Sequence, residues 1–164
     1  MARFDLEQRF RLIIIAYRAF QHLLTPALQR SCLLATRKHL HPDGRLIVHL
    51  FDPRLNRCVQ GDPASVMKPA AVRDDAGREV DVVVTDRRPD PLTQTLSETW
   101  RWTIRHHGTV VQRSADVLRL RWTYRYEMRY LFELCKFKVL AEYSDFRRSP
   151  PQYGAEQIWV VGPA

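Results

Sequence analysis

One short segment near the start of the chain combines aromatic, cationic and imidazole side chains: Tyr17–Leu23, with the sequence Tyr-Arg-Ala-Phe-Gln-His-Leu. His22 supplies an imidazole, the side chain that titrates near neutral pH and suits a general base for a hydroxyl or amine. Tyr17 and Phe20 offer aromatic faces, which favour a positive charge, and Arg18 offers charge and hydrogen-bond donors. The segment predicts a ligand site, with a structural histidine after a strand as the alternative for His22.

An apolar strand and a capped helix flank this segment. Leu12–Ala16 is continuously apolar and rich in β-branched residues, which is typical of a strand buried on both faces in the middle of a parallel sheet. Thr25 caps a helix whose first position is proline, and we expect this helix to cover Pro26 to about Leu40. Its predicted buried face has apolar residues at helical spacing: Leu28, Cys32 and Ala35.

A turn and a second strand follow the helix. Pro42-Asp43-Gly44 predicts the turn that ends the helix, and Arg45–Phe51 predicts the strand. The two faces of this strand are Leu46, Val48 and Leu50 on one side and Ile47, His49 and Phe51 on the other. Strand, helix and strand in this order form a parallel crossover, and open α/β sheets bind ligands at the carboxyl ends of parallel strands. The segment after the first strand lies at such an end.

The middle of the chain changes to a period of two. Residues 52–78 contain prolines and glycines without lasting periodicity, so we predict a connecting loop. Three runs then alternate in polarity and predict antiparallel strands with one buried and one solvated face: Val80–Thr85, Leu96–Ile104 and Leu118–Trp122. His106-His107-Gly108 predicts a hairpin turn. Trp100 and Trp102 are interpreted as sheet core rather than as substrate clamps.

A helix and two strands are predicted at the end of the chain. The helix is marked by apolar and aromatic residues at helical spacing: Tyr124, Met128, Leu131, Phe132 and Cys135. The strands are Phe137–Phe146 and Gln157–Val161. We predict a single domain over residues 1–164, with a strand-helix-strand core in 1–52, an inserted antiparallel sheet in 79–122, and a terminal helix and β-hairpin in 123–164.

The composition excludes several classes of protein. No apolar run approaches the ~18 residues of a membrane span, so we expect no membrane association. The start of the chain has neither the apolar region of a signal peptide nor the composition of a transit peptide, which predicts a cytoplasmic protein. Three widely spaced cysteines predict buried small hydrophobic residues rather than a metal or redox site.

The net charge of +8 is compatible with a polyanionic partner. However, all but four of the 26 basic residues are arginine, a skew that a GC-rich genome produces without selection for binding. The composition therefore argues against nucleic acid as the partner.

The order of elements, together with Tyr17–Leu23 after the first strand, resembles the C-terminal portion of a class I S-adenosylmethionine-dependent methyltransferase, from the fourth strand onward. The resemblance implies an α/β fold: the C-terminal half of a Rossmann-like methyltransferase sheet, with an inserted antiparallel sheet that forms a lid or a dimer surface. It also implies S-adenosyl-L-methionine as cofactor and methyl transfer to a small-molecule acceptor.

The same resemblance implies the site residues. Those expected to line the cofactor are Ala16, Tyr17, Arg18, Phe20 and His22, with Tyr17 and Phe20 flanking the sulfonium. His22 is the candidate general base. Residues expected to shape the acceptor pocket are Phe20, Phe51, Asp145 and Phe146. No metal is expected.

Several positions depart from the family pattern. The six glycines never fall at the Gly-x-Gly spacing of a nucleotide-binding loop, and Lys136 stands where the family closes the last helix with glycine. We therefore expect a truncated copy that is inactive or depends on a partner. The expected partner is a second copy of the chain or a polypeptide supplying the missing N-terminal half, because Leu12–Ala16 would otherwise form an exposed sheet edge.

Two alternatives remain open. One is a noncatalytic module that pairs with an intact methyltransferase. The other is a basic nucleic-acid-binding protein that uses arginines on the solvated face of the antiparallel sheet: Arg101, Arg105, Arg119 and Arg121.

Overall fold

The structure, a computed structural model, describes residues 2–59 and 72–164. In chain order its elements are β1 Phe10–Ile15, a 3₁₀ turn Ala19–His22, α1 Pro26–Lys38, β2 Leu40–Phe51, α2 Leu55–Val59, β3 Val72–Arg73, β4 Glu79–Asp90, β5 Thr95–His106, β6 Thr109–Arg121, α3 Arg125–Leu134, β7 Phe137–Tyr143 and β8 Glu156–Pro163. Met1–Arg54 and Leu120–Ala164 form one compact unit, and Leu55–Arg119 forms a second. The single domain over residues 1–164 stays a prediction.

The first unit contains a four-stranded sheet in the order β1-β2-β8-β7. β1 and β2 pair in parallel, as the crossover predicted. β8 pairs antiparallel with both β2 and β7, so the last strand of the chain lies between them. β7 and β8 thus form the β-hairpin that was predicted at the end of the chain.

β1 lies at an edge of this sheet, which corrects the prediction of a strand buried on both faces. Leu12 is 51% and Ile14 is 56% exposed, whereas Ile15 is buried. Among the described residues, β2 is the one strand beside it. A continuously apolar run therefore did not indicate two covered faces, although the exposed edge itself was expected.

α1 begins and ends close to its predicted limits. Thr25 Oγ1 accepts a hydrogen bond from the Leu28 backbone amide at 3.2 Å, which caps the first turn. Cys32 is fully buried as predicted, but Leu28 is 41% exposed, and the inner face instead includes Gln29. The predicted face was rotated because it followed apolar residues alone.

The predicted Pro42-Asp43-Gly44 turn lies inside β2 rather than before it. Phe10 pairs with Leu40 and Leu12 pairs with Arg45, so residues 41–44 on β2 stand opposite residue 11 on β1. This irregularity explains why turn-forming residues occur within a strand. From Arg45 onward the predicted faces are correct.

An apolar core fills the first unit. α3 contributes Met128 and Phe132, both fully buried. Phe132 makes edge-to-face ring contacts with Phe137 at 6.3 Å and with Trp159 at 5.7 Å between centroids. The strands add further buried side chains: Leu46, Val48, Leu50 and Val161. The α3 periodicity therefore identified most of its core face, although Tyr124, at the N-cap, is 37% exposed.

The second unit contains a sheet in the order β3-β4-β5-β6. β4 pairs antiparallel with β5 as predicted, and His107 and Gly108 both have positive φ between β5 and β6, as a tight hairpin turn requires. The predicted buried face is present in part, since Val84, Leu120 and Trp122 are buried, whereas most of β5 is half-buried. β6 also begins earlier than the predicted run, and its residues 109–117 are all exposed. The predicted loop 52–78 is also wrong where α2 and β3 form, and residues 60–71 lie outside the described part.

Lys136 has φ 60°, the left-handed conformation that favours glycine. Such a conformation costs a residue with a Cβ about 1 kcal/mol. We expect Lys136→Gly to raise the free energy of unfolding by roughly 0.5–1 kcal/mol, measured by urea denaturation. Lys136→Ala keeps the Cβ and is the control, expected to change stability little. A Lys136→Gly variant no more stable than Lys136→Ala would contradict this account.

The three cysteines are free and buried, as expected: Cys32, Cys58 and Cys135. Burial raises the pKa of each thiol, so each stays protonated. Among the described residues, no helix has the length and apolar character needed to span a bilayer.

Candidate functional site

The backbone reverses immediately after β1 through two residues in the left-handed region. Tyr17 has φ 54° and Arg18 has φ 63°. Neither is glycine, so each is held in a conformation that costs about 1–3 kcal/mol. The turn leaves Tyr17 90% exposed at the carboxyl end of β1, and strained residues of this kind are concentrated at ligand sites.

The 3₁₀ turn after Arg18 separates three residues of the predicted site segment. Phe20 is fully buried in the apolar core, so the structure does not support its predicted place beside a sulfonium or an acceptor. Gln21 is also fully buried, and its Oε1 accepts from the Phe51 backbone amide at 3.1 Å, which joins the turn to β2. His22 is exposed, and its ring has no hydrogen bond or ion pair among the described residues.

A hydrogen-bonded network from three elements lies against the turn. His49 on β2 accepts from the Tyr17 backbone amide through Nδ1 at 3.2 Å. The other ring nitrogen, Nε2, lies 3.0 Å from Oε2 of Glu156 on β8. The second carboxylate oxygen of Glu156 accepts from Arg18 Nη2 at 2.5 Å. The network thus connects the ends of β1, β2 and β8.

Aromatic rings border this network. The Arg18 guanidinium lies over the Phe51 ring, 5.6 Å from its centroid. Phe146, which is 74% exposed, meets the His49 ring edge-on with 5.0 Å between centroids. These two rings border the Arg18–Glu156 pair, an arrangement that can contact both the apolar and the polar parts of a small ligand.

The structure therefore brings together most of the predicted site residues. Those near the ends of β1 and β2 are Ala16, Tyr17, Arg18 and Phe51, and Phe146 reaches them through His49. His49 and Glu156 were missed as functional residues. The sequence did contain one signal for His49, because it lies on the same strand face as Phe51, a predicted site residue. No comparable sequence signal pointed to Glu156.

Asp145 is held in a local turn rather than directed freely outward. Its Oδ1 accepts from the backbone amides of Arg147 at 2.8 Å and Ser149 at 3.0 Å, and its Oδ2 accepts from Ser149 Oγ at 2.7 Å. The Ser149 backbone bond, followed by its hydroxyl, lowers the pKa of the Asp145 carboxyl. Its role in an acceptor pocket stays a prediction, and its observed contacts stabilise the turn before β8.

A lowered folded-state pKa means that the Asp145 carboxylate stabilises this turn above the ordinary aspartate pKa of ~3.9, and that the contribution is lost as pH falls through the lowered value. We expect Ser149→Ala to shift the NMR titration midpoint of Asp145 upward toward the ordinary value, because the hydroxyl bond is lost. The Ser144 hydroxyl contacts the Ser149 carbonyl instead, so Ser144→Ala is the matched control. An unchanged midpoint in Ser149→Ala would contradict this assignment.

In the second unit, Trp100 and Trp102 lie side by side with 6.3 Å between ring centroids, and both are half-buried. They line an open hollow of about 230 Å³ with three β6 residues: Asp116, Val117 and Leu118. Trp100 Nε1 donates to Glu98 at 3.2 Å. Neither contact identifies a ligand.

The structure engages two of the four arginines of the predicted basic face within the protein. Arg121 has a side chain only 5% exposed and pairs with Glu127 at 2.7 Å, and Arg105 also has an acidic partner. Arg101, with a side chain 58% exposed, and Arg119 are exposed. The nucleic-acid alternative stays a prediction.

Solved methyltransferase structures share this fold. The CcbJ methyltransferase from Streptomyces caelestis matches with a TM-score of 0.76 and 23% identity, over 99% of this chain and 65% of that one. An S-adenosylmethionine-dependent methyltransferase from Clostridium acetobutylicum matches with a TM-score of 0.78 and 12% identity, over 99% of this chain and 62% of that one. S-adenosylmethionine-bound CalS10 is an amino pentose methyltransferase from Micromonospora echinaspora involved in calicheamicin biosynthesis. It matches with a TM-score of 0.74 and 21% identity, over 99% of this chain and 62% of that one.

The α/β fold implied by the sequence resemblance is therefore confirmed as a methyltransferase fold. The chain spans less than two thirds of the length of each of these proteins. No protein-family model matches the sequence, and no curated protein matches it.

Proposed function

We propose that the chain takes part in S-adenosyl-L-methionine-dependent methyl transfer to a small-molecule acceptor. The observation that carries the proposal is the exposed, strained Tyr17–Arg18 turn at the carboxyl end of β1, within a methyltransferase fold. Open α/β sheets bind their ligands at this end of the strands. The reaction would take place in the cytoplasm.

The residues at this turn fit part of the cofactor. The Tyr17 ring is 90% exposed and can face a sulfonium, whose positive charge favours an aromatic surface. Ala16 and Arg18 would border the same region, while Phe20 would support the turn from the core. A glycine-rich loop that could hold the nucleotide end is not among the predicted elements, so these residues would hold the methionine end alone.

The cofactor supplies an already activated methyl group, so the protein mainly has to hold the acceptor in line. His22 is exposed and free of internal hydrogen bonds among the described residues, which leaves its ring available to accept a proton from an acceptor hydroxyl or amine. Phe51 and Phe146 would contact the apolar surface of the acceptor. Asp145 would act indirectly, by holding the turn that precedes Glu156.

An amino sugar is the acceptor class that we favour. CalS10 is described as an amino pentose methyltransferase, and its structure matches 99% of this chain. A sugar has both apolar and polar faces, which suits the two aromatic rings that border the Arg18–Glu156 pair. An amine can also use an exposed imidazole as the proton acceptor.

The chain would need further polypeptide to complete the cofactor site. It spans 62–65% of the matched methyltransferases, and its sequence has no Gly-x-Gly loop. The exposed edge of β1 is a place where an additional parallel strand could pair. We therefore propose that the chain acts together with polypeptide that supplies this half.

Calorimetric titration of S-adenosylmethionine and S-adenosylhomocysteine into the purified chain tests the cofactor proposal. We expect the chain to bind S-adenosylmethionine, and Tyr17→Ala to weaken this binding by about tenfold, because the substitution removes the aromatic face offered to the sulfonium. The Tyr17 ring is 90% exposed and supports little of the core, so the fold should be retained. Tyr126→Ala, which removes another exposed tyrosine, is the control and should leave binding unchanged. No binding by a folded chain would contradict cofactor binding by this chain alone.

The exposed β1 edge also favours a second candidate, a noncatalytic module that pairs with an intact methyltransferase. Co-purification of the chain with a full-length methyltransferase, without cofactor binding of its own, would support this role. Cofactor binding by the chain alone would argue against it.

A further inference from the structure

His49 is a buried histidine whose two ring nitrogens both have partners, although it is not among the residues that bear the proposed chemistry. The residue is 7% exposed. Its Nδ1 accepts from the Tyr17 amide, and a neutral imidazole has one donor and one acceptor nitrogen. Nε2 must therefore carry the proton and donate to Glu156. The contacts thus fix one tautomer.

Glu156 carries the connection onward to Arg18. Its two carboxylate oxygens are divided between His49 and Arg18, at 3.0 and 2.5 Å. Arg18 is further restrained by the Phe51 ring beneath its guanidinium. Both residues of the strained turn are therefore held, Tyr17 through its backbone and Arg18 through its side chain.

This support is needed because left-handed conformations are unfavourable for both residues. Two consecutive positions with φ of 54° and 63° require contacts outside the turn to remain populated. Without them the backbone would relax, and the exposed Tyr17 ring would change direction. A charge-assisted network attached to the turn supplies this restraint.

We propose that His49, Glu156 and Arg18 form a brace that fixes the Tyr17–Arg18 turn and so sets the direction of the Tyr17 ring. His49 is the positioning residue, acting through the Tyr17 amide and through Glu156. The ligand that the ring faces rests on the proposed function, whereas the brace itself rests on the contacts described above.

Hydrogen exchange and nitrogen NMR test the brace without any ligand. We expect a protected Tyr17 amide and ¹⁵N shifts that show His49 protonated on Nε2. His49→Gln loses the acceptor at the Nδ1 position and should speed Tyr17 exchange by about tenfold or more. His49→Asn keeps an acceptor near that position and should retain most of the protection. His41→Asn, on the same strand but outside the network, is the control.

A proton on Nδ1 of His49, or an unprotected Tyr17 amide in the wild type, would overturn the brace. Equal Tyr17 exchange in His49→Gln and His49→Asn would overturn it as well. Thermal unfolding of each variant distinguishes loss of the turn from loss of the whole fold. A variant that has lost only the turn should keep a melting temperature near that of the control, whereas a variant that has lost the fold should not.

Titration with S-adenosylmethionine, whose sulfonium the Tyr17 ring would face, then tests the consequence for binding. We expect affinity to fall by about tenfold in His49→Gln and less in His49→Asn, with the order following Tyr17 protection. Unchanged affinity in His49→Gln, despite an unprotected Tyr17 amide, would overturn the positioning role. If the wild type does not bind, the proposed cofactor function fails, and the exchange and tautomer data alone decide whether the brace exists.

Discussion

Replacing Glu142 with alanine is expected to lower the free energy of unfolding by about 1.5–3 kcal/mol, because two arginine side chains, 22% and 40% exposed, lose a nearly buried charged partner. The Glu142 side chain on β7 is 4% exposed and binds two arginines one turn apart on α3. Arg129 Nη2 lies 2.9 Å from Oε2, and Arg125 pairs with Oε1. Within the described part of the chain, Arg125 would keep one acidic partner, Asp52, at 3.6 Å.

Urea denaturation with a matched control measures this effect. Glu133→Ala removes an exposed acid from α3, the helix that carries the two arginines, and should change stability by less than about 0.5 kcal/mol. Glu142→Gln retains a hydrogen-bond acceptor without the charge and should fall between the two variants. A loss below about 1 kcal/mol in Glu142→Ala would show that these ion pairs do not stabilise α3 against β7.

Elements with local signals could be predicted from the sequence. Thr25 and Pro26 specified the start of α1 because capping and proline geometry depend on adjacent residues. His107 and Gly108 specified the hairpin turn because both adopt positive φ. Such features need no knowledge of the rest of the fold. The left-handed Lys136 at the end of α3, by contrast, was expected from the family pattern, which has glycine at this position.

Features that depend on distant residues could not be predicted in this way. His49 and Glu156 are separated by 107 positions, and nothing local to either residue indicates that the other is its partner. Phe20 belongs to the same short segment as Tyr17, yet the 3₁₀ turn directs Phe20 into the core and leaves Tyr17 exposed. The predicted site segment lies at the carboxyl end of β1, and its place in a ligand site stays a prediction, while the contacts of His49 and Glu156 with its turn were not predicted.

The β1 edge illustrates the same limit for sheet position. Leu12 and Ile14 have the composition of a central strand, but the side chains are more than half exposed. The composition of a strand indicates which side chains its two faces can bury. Which strands pair with it depends on how the rest of the chain is connected. An apolar edge with this exposure is a site for pairing with another strand.

We expect the purified chain to self-associate at micromolar concentration through this edge, and the double substitution Leu12→Lys and Ile14→Lys to weaken association by at least about tenfold. Lysines on an edge strand oppose strand pairing because their charges would have to be buried. Both side chains are already exposed, so the fold should be retained.

Sedimentation velocity over a range of concentrations distinguishes the species. Leu92→Lys is the matched control: Leu92 is 93% exposed, follows β4 in a turn, and should leave association unchanged when replaced. A wild-type chain that remains monomeric at micromolar concentration would contradict pairing through β1. Association that persists in the double variant but is lost in Leu92→Lys would assign the contact to the surface around Leu92. The comparison therefore decides whether the apolar β1 edge, rather than exposed apolar side chains in general, drives association.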